Sequence, residues 1–198
     1  FDIGGLMGRE MRNMTVGVIG TGRIGFTTIK CLSGFGPKKM YACDPFPKDA
    51  VKEYAEYISL DELLEKCDVI FFHCVYNDSN FHMINADNIK KMKDGVVLVN
   101  AARGPLLDTH AVLDAVSSGK ISGLAMDVIE WEEKLGEKPH FDKCPIPELE
   151  ELLKHKNVIF TNHTAFYTDE AHKNMLETTL DNLAEYAKTG ECSHELVK

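Results

Sequence analysis

Gly20, Gly22 and Gly25 fall in the segment TVGVIGTGRIG (residues 15–25) at the spacing G-x-G-x-x-G, directly after an apolar run and directly before a helical stretch, Arg23 to Ser33. That context gives each glycine a task. The first permits a tight turn, the second lets a pyrophosphate approach the backbone, and the third lets helix and strand pack closely. Arg23 and Ile24 open the helix, so its N–H groups and the positive end of its dipole would face the anion. Asp44 ends the next apolar run, 19 residues beyond Gly25, where a dinucleotide fold places an acid to accept hydrogen bonds from the adenosine ribose diol. Pro45 and Phe46 follow it rather than an arginine. A 2′-phosphate would therefore face a carboxylate, and NAD is expected in preference to NADP. An S-adenosylmethionine site also uses glycines and an acid after the second strand, so the later segments have to separate the two.

In open parallel sheets the ligand lies at the carboxyl ends of the strands, and the polar residues just after each apolar run are the ones to weigh. Cys74 and Val75 end the third long run. NAARGPLLD (100–108) carries Asn100, Ala101 and Arg103 after the fourth, AMDVIEWE (125–132) carries Asp127, Glu130 and Glu132 after the fifth, and TNHTAFYT (161–168) carries His163 after the last. An arginine grips a carboxylate with a planar fork, and a histidine gives and takes a proton near neutral pH. A carboxylate beside that histidine favours the imidazolium. Such a set suits carbonyl reduction next to a nicotinamide, although each residue alone could be an ion pair, a packing histidine or a solvated loop acid.

These residues need a frame. Short apolar runs alternate with amphipathic stretches along the whole chain, the pattern of an α/β, Rossmann-type doubly wound parallel sheet. Strands are expected at Val16 to Ile19, Met40 to Cys43, Val69 to Cys74, Val96 to Val99, Leu124 to Val128 and Val158 to Thr161, with continuous apolarity implying burial on both faces. Ser59-Leu-Asp-Glu62 reads as a capping box, Asp108 precedes a helix ending near Gly119, and Pro147 opens another helix. Asp2 to Asn13 reads as a helix before the first strand, and Glu132 to Pro147 as a long polar loop. Thr168 to Lys188 reads as a longer helix whose Ala171, Met175, Leu180, Leu183 and Ala187 form a packing stripe. The expected division is a leading helix and linker (1–14), a nucleotide-binding domain (15–167), and a C-terminal helix and tail (168–198).

Composition narrows the function classes. A formal net charge of −9, with no basic run longer than a pair, argues against a nucleic-acid surface. The 44% hydrophobic and 27% charged content is that of a globular protein, and no apolar run approaches the roughly 20 residues that span a bilayer. Six cysteines without a CxxC pair read as reduced thiols of a cytoplasmic protein, and no metal site is expected.

VGVIGTGRIG, Asp44, NAARGPLLD, AMDVIE and NHTAFYT, in that order between about Gly8 and Gly190, resemble the nucleotide-binding domain of the D-isomer-specific 2-hydroxyacid dehydrogenases. HTAFYT and the long loop after Glu132 are most similar to the D-lactate and D-2-hydroxyisocaproate branch. The resemblance implies NAD as cofactor and hydride transfer between the nicotinamide and C2 of a small 2-oxo or 2-hydroxy acid. It implies that Arg103 grips the substrate carboxylate and polarises the 2-oxo group, and that His163 protonates the carbonyl oxygen. It also implies that Glu132, five residues beyond Asp127, pairs with that histidine, with Glu130 as a rival. Asp127 would lie near the nicotinamide carboxamide and Val75 to Asn77 near the adenosine. The family carries proline before the histidine where Asn162 stands here. A substrate domain mostly absent from this chain, reached through the C-terminal helix, and a homodimer are further implications. The alternative from another class is a non-catalytic NAD-sensing module of the same fold.

Overall fold

All six apolar runs are strands in the computed structural model, which describes residues 7–136 and 144–194. They are β1 (Thr15–Ile19), β2 (Lys39–Cys43), β4 (Val69–Phe72), β5 (Val96–Asn100), β6 (Ile121–Met126) and β7 (Val158–Phe160), joined at one edge by the two-residue β3 (Glu56–Tyr57). All pairings are parallel, in the order β3-β2-β1-β4-β5-β6-β7. The chain steps outward from β1 to β3 and then returns to the other side of β1, so the order reverses between β1 and β4. Register levels the strand ends: Ile19 pairs with both Cys43 and Phe72, Phe72 with Asn100, and Asn100 with Met126. Gly20, Asp44, His73, Ala101 and Asp127 therefore all emerge at one edge of the sheet.

The helices are α1 (Arg23–Ser33), α2 (Asp49–Lys52), α3 (Leu60–Lys66), α4 (Ala86–Lys91), α5 (Thr109–Ser117), α6 (Pro147–Leu152) and α7 (Asp169–Thr189). Three of them start where local chemistry said they would. The capping box of α3 is complete, with Ser59 Oγ accepting from Glu62 N and the Glu62 carboxylate accepting from Ser59 N. Asp108 caps α5 through Ala111 N, and Pro147 occupies the first turn of α6. Ile29 and Leu32 of α1 and Val51 of α2 pack on Val16, Val18, Met40 and Ala42. On the opposite face, α3 to α6 bury Leu63, Leu64, Ile89, Val112 and Leu152 with Ile70, Phe72, Leu98 and Leu124.

The structure corrects several expectations. Residues 7–10 have no regular structure and only Met11–Asn13 forms a 3-10 turn, with none of its residues buried. Of residues 7–13 only Met11 packs on the core, too little to offset the cost of nucleating a helix. The first six residues, like residues 137–143 of the long loop, lie outside the described residues. Apolarity of β5 does not mean burial on both faces, since Val97 and Val99 are only half-buried. The stripe on α7 is not core: no residue of that helix is buried, and Leu180 and Leu183 are 64% and 61% exposed. The chain divides into two compact units, Phe1–Asn162 and His163–Lys198, each described by itself. Among the described residues no helix is long and apolar enough to cross a membrane.

Two of the three motif glycines are required by the protein itself. Gly20 has φ +89°, and a Cβ there would lie 2.3 Å from Cys74 N; a Cβ on Gly25 would lie 1.9 Å from Gly20 O. Neither neighbour is a side chain that can swing away. Gly25→Ala should therefore cost about 3 kcal/mol or more, the upper range for overpacking, in urea denaturation of the purified chain. A loss below about 0.5 kcal/mol would show that the turn can open without cost.

Candidate active site

The turn after β1 is fixed by Gly20 N, which donates to Cys43 O at 2.9 Å, and by His73 N, which donates to Ile19 O at 2.7 Å. Gly22 differs from its companions. It is the N-cap of α1, has no side-chain cap, and a Cβ on it would meet nothing within 4 Å. Space is thus left open where the first N–H groups of an 11-residue helix lack intrahelical partners. An anionic pyrophosphate fits that requirement.

Asp44 stands beside this turn. Its Oδ2 accepts from Thr21 N at 2.6 Å and from the Thr21 hydroxyl at 3.1 Å, and its Oδ1 accepts from Phe46 N at 2.8 Å. Partial burial pushes its pKa up, but those hydrogen bonds and the charge of Lys48 outweigh it and hold the carboxyl below its ordinary value. Three hydrogen bonds thus fix the acid, two on Oδ2 and one on Oδ1, and Oδ1 keeps one acceptor position.

A cavity of about 350 Å³ runs along the strand ends and brings together Ile24 from α1, Cys74 and Val75 after β4, and Ala101 and Arg103 after β5. Arg103 is exposed at its rim and donates through Nη1 to Ala102 O at 2.7 Å. Asn100 is buried and serves its own loop, donating to Arg103 O at 3.0 Å and accepting from Ala102 N at 3.1 Å. Its role in the described structure is to shape the Arg103 turn. Asp127 is buried and accepts from the Thr161 hydroxyl at 2.5 Å. His73, which the sequence reading absorbed into a strand, lines the same cavity with Nε2 3.0 Å from Thr28 Oγ1. Burial lowers its pKa, so the ring is neutral near pH 7.

The two rival glutamates separate. Glu130 is buried, with Oε1 2.7 Å from His82 Nε2 and Oε2 accepting from Thr109 N at 2.8 Å. His82 Nδ1 lies 3.8 Å from Asp108 Oδ2. One carboxylate thereby joins the loops after β4, β5 and β6. Gly104 interlocks with the same region, since a Cβ there would sit 2.1 Å from Ile129 C. Glu132 is half-buried, and its Oε2 accepts from Ile129 N at 3.3 Å. Sequence inspection had no local sign of the Glu130–His82 contact, because the partners are 48 residues apart. His163 opens the second unit, where its ring meets Phe166 edge-on at 6.4 Å. Asn162 and His163 both have positive φ, +52° and +56°. Asparagine tolerates that conformation, whereas proline, locked near −65°, could not adopt it.

Comparison with known proteins places this arrangement. Residues 3–165 match the family model described as D-isomer specific 2-hydroxyacid dehydrogenase, NAD binding domain. The chain is 47% identical over 198 residues to an aromatic 2-oxoacid reductase of Clostridium sporogenes, covering all of this chain and 60% of that protein. Among solved structures it is similar to a D-lactate dehydrogenase from Treponema pallidum (TM-score 0.90, 38% identity, 97% of this chain and 58% of that one). It is also similar to a D-lactate dehydrogenase with NAD+ from Lactobacillus jensenii (TM-score 0.92, 31% identity, 100% and 59%). The chain thus spans about three-fifths of the length of these relatives.

Two measurements probe the site as built. Glu130→Ala would leave His82 and Thr109 N without their buried partner and should cost about 3 kcal/mol in denaturant unfolding; a loss under about 1 kcal/mol would mean that the three loops hold without it. Asp44, whose carboxyl is lowered on folding, contributes stability that is complete above its ordinary pKa of 3.8 and is lost as the pH falls through the folded value. Asp44→Asn should flatten the acid limb of the stability profile, and an unchanged slope would show that its hydrogen bonds do not persist in solution.

Proposed function

The chain belongs to the D-isomer specific 2-hydroxyacid dehydrogenase family, as an NAD-binding domain, and we propose on that premise that the whole protein reversibly reduces a small 2-oxo acid to the D-2-hydroxy acid with NADH. The observation that carries this reading is the cleft leading from the open N-terminus of α1 to the exposed guanidinium of Arg103. A cofactor-only module has no need of a cation at the far end of that cleft.

Bound NADH supplies the hydride. Arg103 takes the substrate carboxylate in its planar fork and draws electron density from the 2-oxo group. The shape of its turn, held by Asn100, sets where that fork points. His163 would give a proton to the carbonyl oxygen and recover it in the reverse direction, with Glu132 as the carboxylate that the motif pairs with it. Asp127 serves the nicotinamide side and Asp44 the ribose diol. The assignments of His163, Glu132 and Asp127 rest on their match to the family motifs.

The relatives named above comprise an aromatic 2-oxoacid reductase and D-lactate dehydrogenases. Substrate size is therefore the variable to test, and we place the residues that close over the substrate outside these 198 residues. We further take the protein to be a cytoplasmic homodimer; the six free cysteines favour a reducing compartment, and sedimentation of the whole protein tests the dimer.

NADH oxidation by the whole protein should be seen with at least one of pyruvate, 2-oxoisocaproate, phenylpyruvate and hydroxypyruvate, compared by kcat/KM. Absence of turnover with all four, alongside tight NADH binding, would favour the sensor alternative. His163→Ala should lower kcat roughly 100 to 10,000-fold with NADH affinity unchanged. The 198-residue chain alone should bind NADH yet show no enzymatic turnover, because positioning of the substrate, worth roughly 7 to 11 kcal/mol of barrier, is missing; robust turnover would place the whole substrate site within it.

A further inference from the structure

The edge strand β3 has only two residues, yet the second of them, Tyr57, reaches the cofactor side of the sheet. Its register partner is Ala42 of β2. Its hydroxyl lies 2.8 Å from the Thr21 hydroxyl and accepts from Lys48 N at 3.1 Å. Thr21, between Gly20 and Gly22, is fully buried.

The hydrogens in this cluster can be assigned by elimination. Lys48 N can only donate, so the Tyr57 oxygen accepts from it. The Asp44 carboxylate can only accept, so the Thr21 hydroxyl gives its single hydrogen to Asp44 Oδ2. The Tyr57 hydrogen is then left for Thr21 Oγ1. A one-way chain results, from Lys48 N–H through Tyr57 and Thr21 to Asp44. A single phenol thereby ties the glycine turn to the segment 45–48, and these are the two pieces of backbone that hold the two Asp44 oxygens.

We propose that Tyr57 is a positioning residue for cofactor selection, its hydroxyl setting the orientation in which Asp44 accepts a ribose diol and repels a 2′-phosphate. The inference rests on the assignment of Asp44 to the ribose and is independent of the reaction with 2-oxo acids. Release of the 45–48 segment would do two things at once. It would loosen the Asp44 carboxylate, weakening NADH, and it would free Lys48, whose charge already acts on Asp44, to approach a 2′-phosphate. NADH and NADPH affinities should therefore move in opposite directions.

The test is a fluorescence titration of the whole protein with NADH and with NADPH, for wild type, Tyr57→Phe, Thr21→Val and Asp44→Ala. Tyr57→Phe keeps the ring and its packing and removes only the hydroxyl. One neutral hydrogen bond corresponds to about 2 to 12-fold in affinity. NADH Kd should rise within that range and the preference for NADH over NADPH should narrow by at least as much. Thr21→Val breaks the same chain from its other end and should narrow the preference in the same sense, which covers the case of a Tyr57→Phe protein that fails to fold. Equal weakening of both cofactors would mean a merely structural role and overturn the inference, as would unchanged affinities. If Asp44→Ala narrows the preference while Tyr57→Phe does not, only the Tyr57 inference falls; if Asp44→Ala leaves it unchanged, the ribose assignment falls and takes the inference with it.

Discussion

No side chain fits between the carboxyl ends of β1 and β4. A Cβ at Gly20 would strike the backbone at His73 and Cys74, and one at Gly25 would strike Gly20 itself. This closeness lets β1 turn at once into α1, with its helix starting at the level of the strand ends. Were the turn one side chain wider, the helix N-terminus would stand away from the edge where Asp44, Ala101 and Asp127 emerge. The reversal of strand order between β1 and β4 opens the crevice, and the glycine contact sets its floor. Of the three glycines, Gly20 and Gly25 answer to the fold, and Gly22, open to solvent, is left for a ligand.

Around that floor the loops are tied together by polar groups in addition to the apolar packing of Ile84, Leu106, Leu107 and Ile129. Glu130 joins His82, Thr109 N and, through its own chain position, the segment that carries Glu132. His82 N in turn donates to Pro105 O at 2.9 Å, and Ile84 N to Leu106 O at 3.1 Å, so the loop after β4 is zipped to the loop that carries Arg103. Burying a carboxylate in such a place costs desolvation, which its hydrogen bonds have to offset. What the arrangement provides in return is direction: apolar contacts would hold the loops together but leave their relative orientation loosely set. Two carboxylates two residues apart thus do different work. Glu130 faces inward and holds loops, and Glu132 is half-buried at the rim.

Legibility of these features in the sequence follows the range of the interaction that fixes each. The bounds of α1 could be read because a glycine turn and an apolar face are local signals, and Ser59 and Asp108 announced their helices through caps spanning three residues. Strand positions were readable from apolar runs, but β3 was not, since Glu56–Tyr57 carries no run at all. Tyr57 and His73 were passed over because their importance lies in partners 36 and 45 residues away. Periodicity misled where it had no partner to pack on. Asp2 to Asn13 suggested a helix and forms at most a turn in its described part, and the stripe on α7 has the spacing of a core face but is exposed. The Asn162 departure from the family's proline finds its reason only in the backbone, where φ is +52°.

The electrostatics of the site resolve an apparent conflict between a chain of net charge −9 and a ligand that is itself an anion. Lysines are spent elsewhere on the surface: Lys52, Lys66, Lys90, Lys91 and Lys154 are each paired with a nearby carboxylate. At the glycine turn the positive potential comes from the N-terminus of α1, about half an elementary charge acting over the first turn, together with the exposed Arg23 at its first position. That source is short-ranged and directional, and it leaves the distant field of the protein negative. Such a field acts on a small anion that reaches Gly22, where the first N–H groups of the helix have no side-chain cap, and not on a diffuse polyanion. On the function proposed above, Asp44 would act on the next part of the same ligand with opposite sign, accepting from hydroxyls where a phosphate would be rejected. Selection of NAD would on that reading be a sequence of two local fields, one at each side of Thr21, within a chain whose net charge is negative.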